Sequence, residues 1–171
     1  MARTDRLVVA LLEQLREAFT DPAKPPRGGV TGPPQLRAGD GIPPLDNFGD
    51  DDCALLWINV TRRYRTTSFP EATVDTARCG SGMAVELQIG VARCSQALDA
   101  AGGLPSPEVM AAEFAAQEDD ADRLDSVLCR VGSAAEDADI IHDWLPAGIE
   151  VIGPEGGTVA VVAQALFHLN R

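Results

Sequence analysis

Aromatic and basic residues are scarce in this chain of 171 residues. Aromatic side chains make up 5% of it, and 14 Lys and Arg stand against 26 Asp and Glu, which gives a formal net charge of -12. Proteins that bind nucleic acid tightly need clustered cations to displace counterions from phosphates, so this charge balance argues against that class. The shortage of aromatic residues predicts a core of aliphatic side chains and alanine.

Long apolar runs are missing as well. No run approaches the roughly 20 residues that a membrane-spanning helix needs, and the first residues lead into an amphipathic pattern rather than a signal peptide. We therefore expect a soluble protein of cytoplasmic origin that makes no membrane contact.

The cysteines and histidines lack the CxxC, HxxxH and HExxH spacings of metal sites. The chain has two histidines, His142 and His168, and four cysteines. We expect no bound metal, and we expect free thiols, since single cysteines in a protein without a signal peptide are usually small buried apolar residues. A bridge between Cys79 and Cys94 across neighbouring strands is an open alternative.

Apolar residues at three- and four-residue steps predict a first helix over residues 4–19, with Thr4 as N-cap and Asp21-Pro22 at its end. A second helix is predicted to begin at Ser106-Pro107-Glu108 and to end at Gly132. Its apolar stripe consists of Met110, Phe114, Gln117, Ala121, Leu124, Leu128 and Val131. The acidic segment "QEDDADRLD" is expected to lie largely on the solvent side.

Alternating apolar residues predict four strands, at about residues 53–67, 82–94, 147–152 and 158–169. Strands that follow one another without intervening helices form antiparallel sheets. We therefore predict one α+β domain over residues 1–171, with a mostly antiparallel sheet of about four strands flanked by an N-terminal helix and one long helix. A Pro/Gly-rich loop at about 22–52 is expected to be disordered or to pack on a partner.

Three consecutive carboxylates, Asp50, Asp51 and Asp52, raise the hypothesis of a small metal-dependent hydrolase, because Mg²⁺ prefers oxygen ligands. Adjacent residues of an extended segment point to opposite sides, so the three cannot converge on one ion by themselves. We expect them to be solvated residues of a loop.

A nucleophile at Ser81, with His142 and Asp143 as partners, is a second catalytic hypothesis. A nucleophile elbow needs GxSxG at a turn from strand to helix, whereas "GSG" at 80–82 leads into a predicted strand. We expect a turn there, and an ordinary strand residue at His168. The sequence thus predicts no catalytic residue, no cofactor and no enzyme activity.

The only local concentration of cations is "RRYRTT" at residues 62–67. Alternation along the predicted strand places Arg63 and Arg65 on the same face as Trp57. Arginine and aromatic residues are enriched where subunits meet. We predict that Trp57, Arg63 and Arg65 lie at a subunit interface.

Most of the chain resembles the small neck proteins of long-tailed phages of actinobacteria, the tail terminator proteins in particular. The resemblance follows the order of the elements. It includes "CALLWINVTRRYRTTSFPEA", "MAVELQIGVARC" and "DWLPAGIEVIGPEGGTVAVVAQALFHL", within which "SFP", "VELQIGVARC" and "GPEGG" are the distinctive segments.

The resemblance implies a virion protein of the head-tail neck, formed in the host cytoplasm. In that family a homo-hexameric ring caps the completed tail tube, so the partners would be other copies of the chain, the major tail tube protein and the head-closure protein. Genomic DNA would pass through an acidic lumen without specific binding, with Glu118, Asp119, Asp120, Asp122 and residues 50–52 as the acidic candidates. A head-closure (stopper) or adaptor protein is the alternative.

Overall fold

The computed structural model describes residues 2–37, 53–73, 81–95, 103–155 and 157–170. The fold class is α+β, as predicted. Two helices, α1 (Arg3–Thr20) and α2 (Pro107–Asp137), accompany five strands. The strands are β1 (Gln35–Arg37), β2 (Ala54–Thr66), β3 (Gly82–Cys94), β4 (Ile141–Glu155) and β5 (Thr158–Leu169).

The five strands form one mixed sheet in the order β1-β2-β3-β5-β4. All neighbouring pairs are antiparallel except β1 and β2, which run parallel. The strand β1 was not predicted, because three residues after a proline pair carry no alternation that could reveal a strand. Strand β4 forms one edge of the sheet. The other edge is formed by β1 together with the part of β2 that β1 does not pair with.

Helix α1 forms because its apolar residues recur on one side. Leu7, Leu11, Leu15 and Phe19 are all fully buried. The predicted N-cap Thr4 is wrong: the N-cap is Ala2, two residues earlier, and its backbone N–H donates a hydrogen bond to the Asp5 carboxylate at 3.1 Å. That carboxylate satisfies a donor that the first helical turn leaves free.

Helix α2 begins where it was predicted, with the Ser106 Oγ accepting from the backbone N–H of Val109 at 3.4 Å. It does not end at Gly132 but continues to Asp137. The glycine is needed inside the helix because a Cβ atom there would lie 2.4 Å from the indole ring of Trp144. Gly132 therefore marks a close contact between α2 and β4 rather than a helix end.

Both helices pack on one face of the sheet, with α1 beside α2 and over β2, and α2 over β5 and β4. The main core lies between them and includes Leu124 and Leu128 of α2 and Leu87, Ile89 and Phe167 of the sheet. A smaller cluster lies on the opposite face of the sheet. Its buried members are Leu55, Trp57, Ala92, Ala160 and Val162.

Two arginines hold the segment after α1 against α2. Arg93 binds both carboxylate oxygens of Asp120, at 2.6 and 2.9 Å, and donates to the carbonyl oxygens of Gly28 and Gly29. Arg123 donates to the Asp119 carboxylate and to the carbonyl oxygen of Ala18. The first part of the Pro/Gly-rich segment, up to Arg37, thus packs on the chain itself, and residues 38–52 lie outside the described residues.

The cysteine prediction is wrong for two residues. A disulfide joins Cys53 and Cys94, whose Cα atoms are 5.1 Å apart, at the place where β2 begins and β3 ends. Antiparallel pairing brings these residues face to face, and the backbone N–H of Cys94 donates to the carbonyl oxygen of Cys53. Cys129 is a free, exposed thiol, and Cys79 lies outside the described residues.

Replacing Cys53 and Cys94 together with serine should lower the free energy of unfolding by about 2 to 4 kcal/mol, because the bridge closes a loop with a sequence separation of 41 and so restricts the unfolded chain. Urea denaturation measures this change. The substitution Cys129→Ser is the control and should leave stability within about 0.5 kcal/mol. Equal stability of the double variant and the wild type would contradict a structural disulfide.

Candidate assembly surface

The two edges of the sheet carry opposite charge. Strands β1 and β2 contain the arginines at positions 37, 62, 63 and 65 and no acidic residue. Strand β4 contains Asp143, Glu150 and Glu155 and no lysine or arginine. In a chain with a net charge of -12, this separation of cations to one edge is the clearest electrostatic feature of the sheet.

Within the described part of the chain, β4 bonds to β5 alone, so its outer backbone groups face away from the sheet. Its apolar side chains Leu145, Ile149 and Val151 are exposed, at 43%, 38% and 52%. Register shifts interrupt β4 next to Ile141, between Pro146 and Gly148, and after Ile152. The stretch 148–152 is therefore the longest regular part of an apolar edge, and the bulges and proline limit pairing to it.

At the opposite edge, the described part of the chain pairs β1 with Trp57, Ile58 and Asn59 of β2. At the far end of β2, the backbone N–H of Thr73 donates to the carbonyl oxygen of Arg65. The outer side of residues 60–64 lies between these two contacts. It is about as long as the regular stretch of β4.

A β-bulge between Val60 and Arg62 changes which way the arginines point. Beyond it, Arg63 pairs with Val85 of the helix-facing core, whereas Trp57 pairs with Gly90 on the other face. The predicted shared face of Trp57, Arg63 and Arg65 is therefore wrong, since one extra residue in a strand reverses the alternation that follows it. Arg62, which the sequence analysis did not single out, takes the face of Trp57.

Arg62 is held in place by its neighbours. Its guanidinium carbon lies 4.7 Å from the centre of the Tyr64 ring, and the Tyr64 hydroxyl donates to the carbonyl oxygen of Pro70 at 2.7 Å. Burial raises the pKa of Tyr64, so the phenol stays protonated at neutral pH. Arg62 and Arg63 are exposed and form no ion pair within the described residues.

The other two predicted interface residues differ in their surroundings. Trp57 has no exposed surface, so it cannot meet a neighbour without rearrangement of the chain. Arg65 is half-buried and donates to the carbonyl oxygen of Ser81 at 3.4 Å. Of the three predicted residues, Arg63 is the one that the fold leaves exposed.

Two apolar residues near the start of α2 are exposed. Phe114 is 62% exposed and Met110 is 46% exposed, although both belong to the predicted apolar stripe. Phe114 lies about five helical turns before Gly132, which places both on the same side of α2. Because Gly132 contacts Trp144 of β4, that side of the helix faces β4.

One cavity, of about 420 Å³, lies at the end of the sheet where β2 ends and β4 begins. It is lined by Ser81, His142 and His168, among others. The His168 ring stacks on Phe69 and meets His142 edge-on, each at 5.5 Å between ring centres. Burial, followed by the nearby His142, lowers the pKa of His168, so its imidazole is neutral at pH 7. The fold thus gathers two members of the hypothetical Ser81, His142 and Asp143 group, while Asp143 accepts a hydrogen bond from the backbone N–H of Trp144.

The acidic cluster of α2 is divided by the fold. Asp120 is 1% exposed, which corrects its expected solvent position, and burial raises the pKa of its carboxyl while hydrogen bonds from Arg93 oppose the rise. Asp119 is bound by Arg123 and by the backbone N–H of Arg27. Only Glu118 and Asp122 of this cluster are exposed.

A second cavity, of about 290 Å³, lies under α2 next to the disulfide and the Arg93–Asp120 pair. Within the described ranges, no three His, Cys, Asp or Glu side chains are arranged to hold a metal ion. The predicted loop carboxylates at 50–52 lie outside those ranges. Neither helix of the described chain is both long and apolar enough to cross a membrane.

These features define an α+β protein whose mixed sheet has, within the described residues, arginines at one edge and carboxylates at the other. No protein-family model matches the chain, and no curated protein matches it.

Proposed function

We propose that this chain is a structural protein of a phage neck, a tail terminator whose copies form a ring that caps the tail tube and joins it to the head. The observation that carries the proposal is the opposite charge of the two sheet edges. When two different surfaces of a subunit are complementary, one surface of each copy can bind the other surface of the next copy. Such head-to-tail contacts close into a ring when the rotation between copies allows it.

Two further features support the proposal. The α+β fold, with a mostly antiparallel sheet and two flanking helices, is the one that the resemblance to tail terminators implies. The acidic surface suits a ring through which DNA passes, because fixed negative charge repels phosphates. Other copies of the chain, the tail tube protein and the head-closure protein are the proposed partners, and the neck of the virion is the proposed location.

The purified chain should form a closed ring, of six copies by the resemblance, either alone or on the end of a tail tube. Native mass spectrometry measures the number of copies. Adding the chain to polymerising tube protein should stop growth, which electron microscopy of tube lengths detects. A chain that stays monomeric both alone and with tubes would contradict the proposal.

The same assay separates the alternatives. A head-closure or adaptor protein of the neck would also form a ring, but it would leave the length of tubes unchanged and bind the portal side of the neck instead. A small hydrolase would stay active as a monomer.

A further inference from the structure

We infer that residues 148–152 of β4 bind an extended segment of another protein, which adds to the sheet as a further strand and carries a lysine or arginine between apolar residues. The occupant is a different protein, not a second copy of this chain, so the inference goes beyond the proposed function. The first part of β4, which carries Asp143, stays available for contacts between copies.

This half of β4 is accessible on both faces of the sheet. Every residue from 145 to 151 is exposed. Strand β4 stands at the end of the strand order and pairs with β5 on one side. An edge strand directs alternate backbone N–H and C=O groups away from its neighbour, and these groups can form a ladder with an added strand. No strand of the described chain uses these groups of residues 148–152.

Two prolines limit the length of the added strand. Pro146 and Pro154 have no backbone N–H to donate, and register shifts interrupt the pairing of β4 beside each of them. Between these interruptions, residues 148–152 pair regularly with β5. The occupant can therefore pair with a stretch of about five residues, an ordinary length for a strand.

The side chains of the stretch define the alternation of the occupant. Ile149 and Val151 are 38% and 52% exposed, and they pair with β5 residues of the helix-facing core. Glu150 pairs with Val162 and therefore lies on the opposite face. Successive residues of an added strand point to alternate faces, so its apolar residues can cover Ile149 and Val151 while the residue between them meets Glu150. A lysine or arginine at that position is complementary to the carboxylate.

The neighbouring side of α2 also favours a cationic occupant. Gly132 of α2 lies against Trp144 of β4, so this side of the helix faces β4. Counting about 100° per residue places Glu118 and Asp125 within about 40° of Gly132 around the helix axis. Both acids are exposed, and β4 itself contains no lysine or arginine. Positive charge on the occupant is therefore attracted from both faces of the strand.

A second copy of the chain fits this edge poorly. Two β4 strands that pair antiparallel about a two-fold axis can continue the sheet with the helices of both copies on the same side. In a register centred on residue 149, 150 or 151, the two Glu150 side chains then lie directly opposite or diagonal to each other, where like charges are destabilising. The net charge of -12 on each copy adds to this repulsion.

A synthetic peptide of alternating valine and lysine, slightly longer than the stretch that it pairs with, is the probe for this site. It should bind the full chain, and fluorescence anisotropy of the labelled peptide at about 0.15 M salt, where exposed charges are partly screened, measures the dissociation constant. Two control peptides have the same composition. One carries its valines and lysines in separate blocks, and the other is methylated on every backbone nitrogen, so it cannot donate to a ladder. Both should bind at least about tenfold more weakly.

Charge reversal locates the site on β4. Glu150→Lys should weaken binding of the valine–lysine peptide about tenfold, because it replaces an opposite-charge cross-strand pair by a like-charge pair. The same variant should gain affinity for a peptide of alternating valine and glutamate. Glu13→Lys makes the same change of charge at an exposed position of α1 and should bind both peptides like the wild type. Circular dichroism checks that both variants are folded.

Equal binding of the alternating, block and methylated peptides would overturn the inference, because attraction to the acidic chain would then explain all of it. No binding of the alternating peptide, or equal binding to the wild type and Glu150→Lys, would also overturn it. Self-association that Val151→Asp abolishes, without any peptide binding, would assign the edge to a second copy instead. The proposed ring is tested separately, by native mass spectrometry of the chain without peptide.

Discussion

The substitution Asp120→Ala is expected to lower the free energy of unfolding by about 3 to 5 kcal/mol, because it leaves the Arg93 guanidinium largely buried without its partner. The Asp120 side chain is 1% exposed and that of Arg93 is 12% exposed. Arg93 also binds the carbonyl oxygens of Gly28 and Gly29, so loss of the pair should loosen the segment that follows α1. Urea denaturation followed by circular dichroism measures the change.

Two variants show whether the effect comes from the ion pair. Asp122→Ala removes an exposed carboxylate from the same helix and should change stability by less than about 0.5 kcal/mol. The double substitution Arg93→Met, Asp120→Leu removes both charges and should cost less than Asp120→Ala alone, because no unpaired charge remains. A loss of under about 1 kcal/mol for Asp120→Ala would mean that the pair is solvated in solution.

Trp57→Ala should also destabilise the chain by about 3 to 5 kcal/mol, since it removes the largest side chain of the buried cluster on the sheet face opposite the helices. The indole packs directly on the backbone at Gly90, where a Cβ atom would lie 2.3 Å from the ring, so alanine would leave a cavity at this contact. Thermal and urea denaturation measure the loss.

Trp57→Phe is the matched control for this prediction. The indole Nε1 is buried without a hydrogen-bond partner among the described residues, so phenylalanine loses some volume but no hydrogen bond. We expect a clearly smaller loss than for alanine. If Trp57→Ala instead left stability unchanged and weakened only the association of subunits, Trp57 would be the interface residue that the sequence predicted.

The strands that alternate over a long stretch could be predicted closely from the sequence. The predicted bounds of β3 and β5 agree with the structure, because each is a long run rich in β-branched and other apolar residues that begins next to glycines. The start of α2 was predicted because a cap, a proline and an acid act through neighbouring backbone groups. The limits of β4 were missed because its outer half is exposed and its bulges interrupt the period.

The candidate assembly surface was predicted only in part. Arg63 was singled out, but Arg62 was not, since a bulge of one residue reverses the faces of β2 and no composition rule reveals it. The hint available in the sequence was the absence of acids from β2 and of cations from β4. That hint can be interpreted only once the strand order is known, because the order places these strands at opposite edges of the sheet.

The sequence by itself determined the elements whose cause is local: the two helices, the strands with regular alternation and the acidic character of the whole. Tertiary structure decided which residues far apart in the chain meet, because a contact between two distant residues forms only when the elements that carry them pack together. The Cys53–Cys94 bridge, the burial of Asp120 against Arg93 and the packing of Trp57 on Gly90 are of this kind. Each joins residues on different elements, so no window of neighbouring residues contains the information that specifies it.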